Sequence, residues 1–290
     1  MIDTPGAAAI AIATQIHTIV EDRIAFLSLT SSNTMMSTSK FCFSFLFCLT
    51  LSLIIGCSNG DKTTVDNLAA EQENAEAHCE QCQDNIKQIV LAFHHFHDAH
   101  NRLPALSDDP FFSWMAQSDV TGKPWHSWRV LLSPFLGQVS LYEEIRFDEP
   151  WDSEFNKQFH DQMPAIFQCP ANPGRGCCYS VVVGGIFAPS GETDRERGTY
   201  SLRDITDGTR NTLAIVEVKT PFNWMDPTAD VALDELVKGI NSGGRVGSFH
   251  PGGINVGMFD GVVRFFPNDV DADTLRALAT PAGGESVSLP

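Results

Sequence analysis

The stretch that decides the fold reads EQENAEAHCEQCQDNIKQIVLAFHHFHDAH and covers residues 71–100. Its apolar residues recur at spacings of three and four, which is the period of an amphipathic α-helix with one buried face. Pro104 follows, and proline disfavours a helical residue before it. We therefore predict a helix over residues 72–100 whose packing stripe is formed by Ile86, Ile89, Val90, Phe93, Phe96 and His97.

Downstream of this helix the pattern changes. Residues 126–146 suit a second helix, broken or kinked near Ser133-Pro134. The runs YSVVVGG, TLAIVEV, GINVGMF and VVRFF are short, rich in β-branched or aromatic residues and separated by turn residues, which predicts antiparallel strands with irregular loops. Asp260-Gly261 indicates a two-residue hairpin turn, and Asp271 to Leu278 a last short helix capped by Asp271 or Asp273. The order of these elements predicts an α+β fold.

The net charge of the chain limits the classes of partner that it is expected to bind. The formal net charge is −17, and nearly all of the surplus carboxylates follow residue 56. A surface this acidic repels phosphate backbones, so we expect no nucleic-acid partner. Apolar residues make up 43% of the sequence, which is enough to bury a core. After its first quarter the chain should fold as one domain.

An export signal is predicted at residues 36–56. A short basic start ending at Lys40 is followed by the uninterrupted apolar or small run FCFSFLFCLTLSLII, from Phe41 to Ile55. This run is shorter than the about 20 residues that a membrane-spanning helix needs, and its length is typical of a signal peptide. Residues 1–35 have no targeting pattern, so we interpret them as a start assigned too early or as an extension removed with the signal.

The signal ends in Ile54-Ile55-Gly56-Cys57, which resembles the lipobox of bacterial lipoproteins. Cys57 is therefore the predicted lipidation site and the first residue of the mature chain. Residues 57–71 turn polar at once and are predicted to form a flexible tether. The alternative is a core helix or an ordinary membrane anchor in which Cys57 is incidental.

Several ordered motifs resemble the family labelled domain of unknown function 1559. The family signature is a histidine, nine residues and then Asp-Gly, which corresponds here to His250, PGGINVGMF, Asp260 and Gly261. The resemblance extends over most of residues 79–285. The other matching motifs are CQDNIKQI at 82–89 with HHFHD and Pro104, SWRV at 127–130 with PFL at 134–136, FDEPWDSEFN at 147–156, QCP at 168–170, ITDGT at 205–209 with NT at 211–212, and AGGE at 282–285.

The resemblance implies a pilin-like fold, similar to the pseudopilins of type II secretion, in which an N-terminal helix packs on an antiparallel sheet. It places that domain at residues 72–290. Relatives typically begin with a prepilin signal on a long apolar helix that joins subunits into a filament. This chain has a lipobox and a tether instead, which puts filament assembly in doubt. The family brings no established activity, and the solute-binding label attached to it is unproven.

The mature cysteines leave more than one arrangement open. Outside the membrane thiols tend to pair, and Cys82 and Cys169 are the two that match the family, so we expect a disulfide between them. Alternatively, Cys79-x-x-Cys82 and Cys177-Cys178 would form a zinc site, although adjacent cysteines are unusual zinc ligands. Thioredoxin-like redox chemistry fits less well, because the first pair lies in a helical pattern.

Two groups of residues are metal candidates, and a third pair is a candidate functional site. His94 and His97 share a helix face at a spacing permissive for a metal, with Asp98 and His100 nearby. Asp148, Glu149, Asp152 and Glu154 form the densest acidic cluster and the best calcium candidate. The plainer interpretations are packing for His97 and solvated or turn-capping charge for the acids. His250 and Asp260 are either a turn-stabilising pair across a hairpin or a functional site.

We therefore expect a non-catalytic lipoprotein, anchored to the membrane by its lipid, with a periplasmic or extracellular domain that binds another envelope protein or a solute. No nucleophile elbow, phosphate-binding loop or metalloprotease helix motif occurs in the sequence. No cofactor is expected, although calcium or zinc remains open. A metal-dependent envelope enzyme and a purely structural subunit are the alternatives.

Overall fold

The computed structural model describes residues 62–104, 125–187, 201–285, 287 and 289, and of residues 62–69 it describes the backbone alone. The chain divides into two compact units, Met1–His78 and Cys79–Pro290. The predicted extension at 1–35, the predicted signal at 36–56 and the predicted lipidation site Cys57 lie outside the described residues. Every described helix and strand belongs to the second unit, except that the N-terminal helix begins before it.

The N-terminal helix, α1, spans Lys62–His100 and starts earlier than predicted. The prediction of a flexible tether is wrong for residues 62–71. No proline or glycine interrupts this stretch, and its second half, Leu68-Ala69-Ala70-Glu71, consists of residues that favour helix. The helix ends where Asn101 adopts a left-handed conformation (φ 58°) and its N–H donates to the carbonyl of His97 at 2.7 Å.

The predicted second helix is broken where the proline indicated. Helix α2 covers Trp128–Leu132, a 3₁₀ turn covers Ser133–Leu136, and helix α3 covers Val139–Glu144. Ser127 caps α2 by accepting a hydrogen bond from the N–H of Arg129. Within the described residues, no helix combines the length and the apolar character required to cross a membrane.

In the part of the chain that the structure describes, six strands and two short α-helices follow α3. Their bounds are Cys177–Ser180 for β1, Val182–Val183 for β2, Leu213–Phe222 for β3, Val231–Ala232 for β4, Leu233–Leu236 for α4, Gly253–Met258 for β5, Val263–Pro267 for β6 and Ala272–Ala279 for α5. A four-stranded sheet forms the centre of the fold, in the order β1-β3-β5-β6, and every neighbouring pair is antiparallel. A separate pair, β2 and β4, is parallel. Helix α4 follows β4, and α5 is capped by Asp271 as predicted.

Each face of the sheet has its own core. On one face lies α1, whose five predicted apolar stripe residues are all buried, together with α2 and the aromatic residues around it. On the other face, alternate residues of β5 such as Ile254 and Val256 pack with Leu275 and Leu278 of α5. A helix packed on an antiparallel sheet with irregular loops confirms the predicted α+β fold.

A buried ion pair joins α2 to the segment that leads into β4. The guanidinium of Arg129 donates to a carboxylate oxygen of Asp230 at 2.6 Å, and both side chains are fully buried. Trp128 Nε1 and the Ser180 hydroxyl also donate to this carboxylate, at 3.1 Å and 3.0 Å. Hydrogen bonds thus offset the cost of burying these charges, as such pairs require.

The hairpin between β5 and β6 has a three-residue loop rather than the predicted two. The Met258 N–H donates to the Val262 carbonyl at 2.9 Å, and the Gly261 N–H donates to Met258 at 3.0 Å. Gly261 has a φ of 84°, which is the left-handed residue that closes this type of loop. Asp260 lies in the loop and accepts a hydrogen bond from the Val262 N–H at 2.9 Å.

Candidate functional site

Four side chains from four separate segments meet between α1 and the sheet. They are Cys82 of α1, Cys169 of the loop before β1, Glu217 of β3 and His250 of the loop before β5. Their sulfur, nitrogen and oxygen atoms all lie within 4.8 Å of one another. Cys82 Sγ is 3.2 Å from Cys169 Sγ, which is 3.5 Å from His250 Nε2, which in turn is 3.6 Å from Glu217 Oε1. We call this set the interface cluster.

Local structure explains how each residue reaches the interface cluster. Cys82 precedes Ile86 by one helical turn and so shares the buried stripe of α1. Glu217 points to the same face of β3 as Ile215, because side chains alternate along a strand. The loop that carries Cys169 is tied to α1 by Asn85, whose Nδ2 donates to the Gln168 carbonyl at 3.2 Å.

The interface cluster is sealed from solvent. The exposed fractions are 0% for Cys82, 2% for Cys169, 1% for Glu217 and 5% for His250. Burial of four ionisable groups is costly unless they neutralise one another or hold a counter-charge. Packing alone therefore does not explain why these four ionisable residues lie together.

The two thiols of the interface cluster differ in acidity. Cys82 donates a hydrogen bond to Cys169, which raises the pKa of Cys82 and is the largest cause that lowers the pKa of Cys169 to about 5, with His250 acting in the same direction. Burial raises the pKa of Glu217, and His250 opposes that rise. The arrangement thus favours a thiolate at Cys169 with the proton retained on Cys82.

A second layer of hydrogen bonds orients the carboxylate of Glu217. The main-chain N–H of Asn255 donates to Glu217 Oε2 at 2.7 Å, and Asn255 Nδ2 donates to Oε1 at 3.4 Å. Gln83 of α1 holds the Asn255 side chain in place by donating to its Oδ1 at 3.1 Å. These contacts fix which carboxylate oxygen faces His250.

Two chemistries are open to paired thiols in such a place, namely oxidation to a disulfide and metal binding. The sulfurs of Cys82 and Cys169 are 3.2 Å apart, whereas a disulfide bond measures about 2.05 Å, and both cysteines are free in this structure. The structure places the two sulfurs side by side. The disulfide itself stays a prediction.

The helix histidines predicted as metal candidates lie apart from the interface cluster. His94 Nε2 is 2.7 Å from the Phe259 carbonyl oxygen, and His97 Nε2 is 2.8 Å from the hydroxyl of Ser201. Each of these two rings therefore has a protein partner at hydrogen-bonding distance. These contacts agree with the plainer interpretation, in which His97 lies on the packing face of α1 and the other histidines are solvated or hydrogen-bonded.

The acidic candidates do not converge on a shared point either. Asp148, Glu149 and Asp152 are not among the described side chains that meet as potential metal ligands. Glu149 instead forms an ion pair with Arg146 at 2.9 Å, whose hydrogen bond lowers the pKa of that carboxyl. Among the residues that the structure describes, the interface cluster is the one place where three or more potential ligand side chains meet. The geometry of this loop therefore does not support the calcium hypothesis.

The alternative zinc arrangement is not assembled, because its cysteines point to different partners. Cys79 Sγ is 3.9 Å from Asn255 Oδ1, Cys177 donates to the Tyr179 carbonyl at 3.2 Å, and Cys178 accepts from Asn172 at 3.4 Å. His250 and Asp260 are not paired across a hairpin, since β5 lies between them. Of the family signature, His250 belongs to the interface cluster, whereas Asp260 and Gly261 shape the hairpin loop.

Glu217 was missed by sequence reasoning. A signal for it does exist in TLAIVEV, where alternation puts the one charged residue on the same face as Ile215. An acidic side chain at a core-facing position of a central strand needs a partner, and that requirement could have drawn attention to it. Its partners could not be identified from the sequence, because they come from three distant segments.

The fold and the interface cluster together define a class of protein: an α+β domain whose N-terminal helix meets an antiparallel sheet through a buried set of thiol, imidazole and carboxylate groups. Residues 79–235 match the family described as a protein of unknown function, DUF1559. This match covers more than half of the chain, and the chain belongs to that family. No curated protein matches the chain. No solved structure matches it either.

Proposed function

We propose that the protein is a lipid-anchored module of the bacterial cell envelope that binds another envelope protein or a solute, or serves as a structural subunit, without catalysing a reaction. The observation that carries this proposal is the burial of the interface cluster, whose four side chains are all at most 5% exposed. A catalytic group must reach its substrate. Side chains sealed beneath a helix are suited to holding the fold together.

The surface of α1 supports display rather than filament assembly. Residues 70–77, which read AEQENAEA, are exposed and polar. A helix that forms the core of a filament needs an apolar face for its neighbours, as the resemblance to pseudopilins implies for other relatives. A polar helix is instead suited to hold a domain in water.

The membrane attachment in this proposal rests on the sequence at residues 36–57. The apolar run is of signal-peptide length and ends at Gly56-Cys57, followed by polar residues. One lipid chain gives only marginal anchoring, whereas the several chains of a mature lipoprotein give stable attachment. The acidic surface fits a protein or solute partner and disfavours nucleic acid.

The anchoring part is tested by Cys57→Ser in the full chain, followed by labelled-palmitate incorporation and membrane fractionation. We expect an unprocessed precursor that carries no label. Cys48→Ser is the matched control, because it removes a thiol from the same apolar run and should leave labelling intact. Labelling that survives Cys57→Ser would refute the assignment of this residue.

The binding part is tested by crosslinking intact cells that produce the full chain. A discrete adduct with a second protein indicates a binding module, and a ladder of self-adducts indicates a structural subunit. Recovery of the uncrosslinked monomer alone, together with no solute retained through gentle purification, would contradict both forms of the proposal.

A further inference from the structure

The interface cluster has the composition and shape of a metal site. We propose that Cys82, Cys169, Glu217 and His250 are the four ligands of a structural transition-metal site, which takes Zn²⁺ or a similarly thiophilic divalent ion and ties helix α1 to the sheet. This inference goes beyond the proposed function and does not depend on how the protein is anchored.

Two of the distances between the donor atoms match a tetrahedral site, and all four donors lie within 4.8 Å of one another. Zinc lies about 2.3 Å from thiolate sulfur and about 2.0 Å from imidazole nitrogen or carboxylate oxygen, so neighbouring donors lie about 3.3–3.8 Å apart. The separations of 3.5 Å between Cys169 Sγ and His250 Nε2 and of 3.6 Å between His250 Nε2 and Glu217 Oε1 fall in this range. The two sulfurs, 3.2 Å apart, stand closer than the about 3.8 Å expected for two zinc-bound thiolates, so Cys82 and Cys169 must move about half an ångström apart on binding.

The donor atoms select the class of metal. Two sulfurs and an imidazole suit zinc and other soft or borderline transition ions, whereas calcium and magnesium require oxygen ligands. Calcium, which the acidic loop suggested from the sequence, is excluded from this cluster by its donors. A single carboxylate completes a four-coordinate set.

A divalent cation also accounts for the charges that the fold buries here. Glu217 and the thiols of Cys82 and Cys169 lie in one sealed space, with the His250 ring beside them. Metal binding replaces the thiol protons of Cys82 and Cys169, so both sulfurs bind as thiolates while the imidazole stays neutral. The ion then offsets most of the negative charge of its three anionic ligands.

The hydrogen bonds around Glu217 match the second layer of a metal site. Asn255 donates its main-chain N–H to Glu217 Oε2 at 2.7 Å, and this bond directs Oε1 towards His250. Outer hydrogen bonds of this kind orient a ligating carboxylate through one oxygen. Gln83 brings α1 into the same network through Asn255.

Four protein ligands fill a tetrahedral coordination sphere, which leaves no open position for substrate, and such closed sites are structural. A disulfide between Cys82 and Cys169 is the competing state. It would involve two of the four side chains and leave Glu217 and His250 as a buried polar pair beside it. The metal site accounts for all four residues.

The test uses the full chain, purified in mild detergent from whichever cell fraction contains it, without a polyhistidine tag, reductant or chelator. Metal content is measured by elemental analysis, and cysteines are alkylated after denaturation with chelator and before any reduction. We expect about one zinc per chain and reactive thiols at Cys79, Cys82, Cys169, Cys177 and Cys178.

Variants then locate the ion. Cys82→Ser and His250→Ala should lower the zinc content at least about tenfold, as loss of a direct ligand weakens binding by more than loss of an outer hydrogen bond. Cys178→Ser is the matched control, because it removes a buried thiol outside the cluster and should retain the metal. If the ligand variants fail to fold, Co²⁺ substitution of the unaltered chain decides, through thiolate charge-transfer bands and tetrahedral absorption.

Two different results would overturn the metal-site proposal. Absence of stoichiometric metal with two cysteines protected from alkylation would overturn the proposal in favour of the Cys82–Cys169 disulfide. Metal that persists in Cys82→Ser and His250→Ala, or Co²⁺ bound without thiolate bands, would overturn it by placing the ion elsewhere. None of these outcomes depends on acylation at Cys57, so the anchoring proposal succeeds or fails separately.

Discussion

Gly257 shows how closely helix α1 lies on the sheet. A Cβ atom at this position would stand 2.6 Å from Cγ2 of Ile86 and 2.9 Å from Cγ2 of Val90, and carbon atoms in proteins do not approach so closely. The position belongs to β5 and has no positive φ, so a glycine stands here for space and not for backbone freedom. The glycine at this position of the family signature is therefore explained by close packing of α1 on β5.

We predict that Gly257→Ala lowers the free energy of unfolding by about 1–3 kcal/mol, because the added methyl group forces the helix away from the strand. Urea denaturation measures this change. Gly174→Ala is the control, since its Cβ would lie an ordinary 3.5 Å from Asn172 Oδ1 and its φ is not positive. Equal effects of the two substitutions would show that the helix does not press on β5.

The sequence predicted three of the four residues of the interface cluster as noteworthy, but not as a set. Cys82 and Cys169 stood out as the cysteines shared with the family, and His250 as part of its signature. Glu217 was hidden in an apolar strand. What brings the four together is the packing of α1 across β3 and β5, a long-range arrangement that local periodicity does not encode.

The loop between α3 and β1 is organised by a residue that its sequence pattern does not indicate. The sequence presents FDEPWDSEFN as an acidic cluster, whereas its organising residue is Asn156, which is fully buried. The Asn156 Nδ2 group donates to the carbonyls of Arg146, Glu149 and Pro150 at 2.8–3.1 Å, and its Oδ1 accepts from the Arg146 N–H at 3.0 Å. One amide thereby satisfies the backbone of a loop without regular structure.

We predict that Asn156→Asp costs about 3 kcal/mol of folding stability, because it replaces a donor group by a carboxylate that faces three carbonyl oxygens. Thermal or urea unfolding monitored by tryptophan fluorescence detects it, since Trp151 lies in the loop. Gln158→Glu makes the same chemical change at an exposed position and should leave stability nearly unchanged. A stable, unperturbed Asn156→Asp protein would mean that the amide does not organise the loop.

Elements with strong periodicity were predicted well, and their ends less so. The stripe of α1 and the alternation in TLAIVEV and GINVGMF are properties of neighbouring residues, so the sequence contains them directly. The start of α1 was placed too late because polar residues suggested a tether, although no proline or glycine separates them from the helix formers that begin at Leu68. The hairpin loop has three residues instead of the predicted two, because Phe259 leaves the strand and packs in the core.

The whole domain should be sensitive to acid through its buried histidines. His126 packs on Phe147 with ring centroids 4.9 Å apart, and burial lowers its pKa from 6.5 to about 4. Burial likewise lowers the pKa of His100 to about 4. The unfolded chain then binds protons more readily than the folded one, so stability is complete above about pH 6.5 and declines as the pH falls towards 4.

We predict that the unfolding free energy drops between about pH 7.5 and pH 5.0, with about 2 kcal/mol of the loss due to His126. Replacing it by phenylalanine, His126→Phe, removes the titrating group and should reduce the pH dependence by that amount. Urea titrations of both proteins at the two pH values measure it. An unchanged pH dependence in the variant would assign the acid sensitivity to other groups.

The separation of the interface cluster along the chain also governs how the molecule assembles. Cys82 and Cys169 are 87 residues apart, and Cys169 and His250 a further 81. Contacts at such separations form slowly, because long loops must close before the contacts stabilise anything. A nascent chain that ends before His250 leaves Cys82 open to mispairing with Cys177, which would hold the helix in a wrong register. The segment around His250, which is synthesised after helix α1, therefore determines whether the first helix docks correctly.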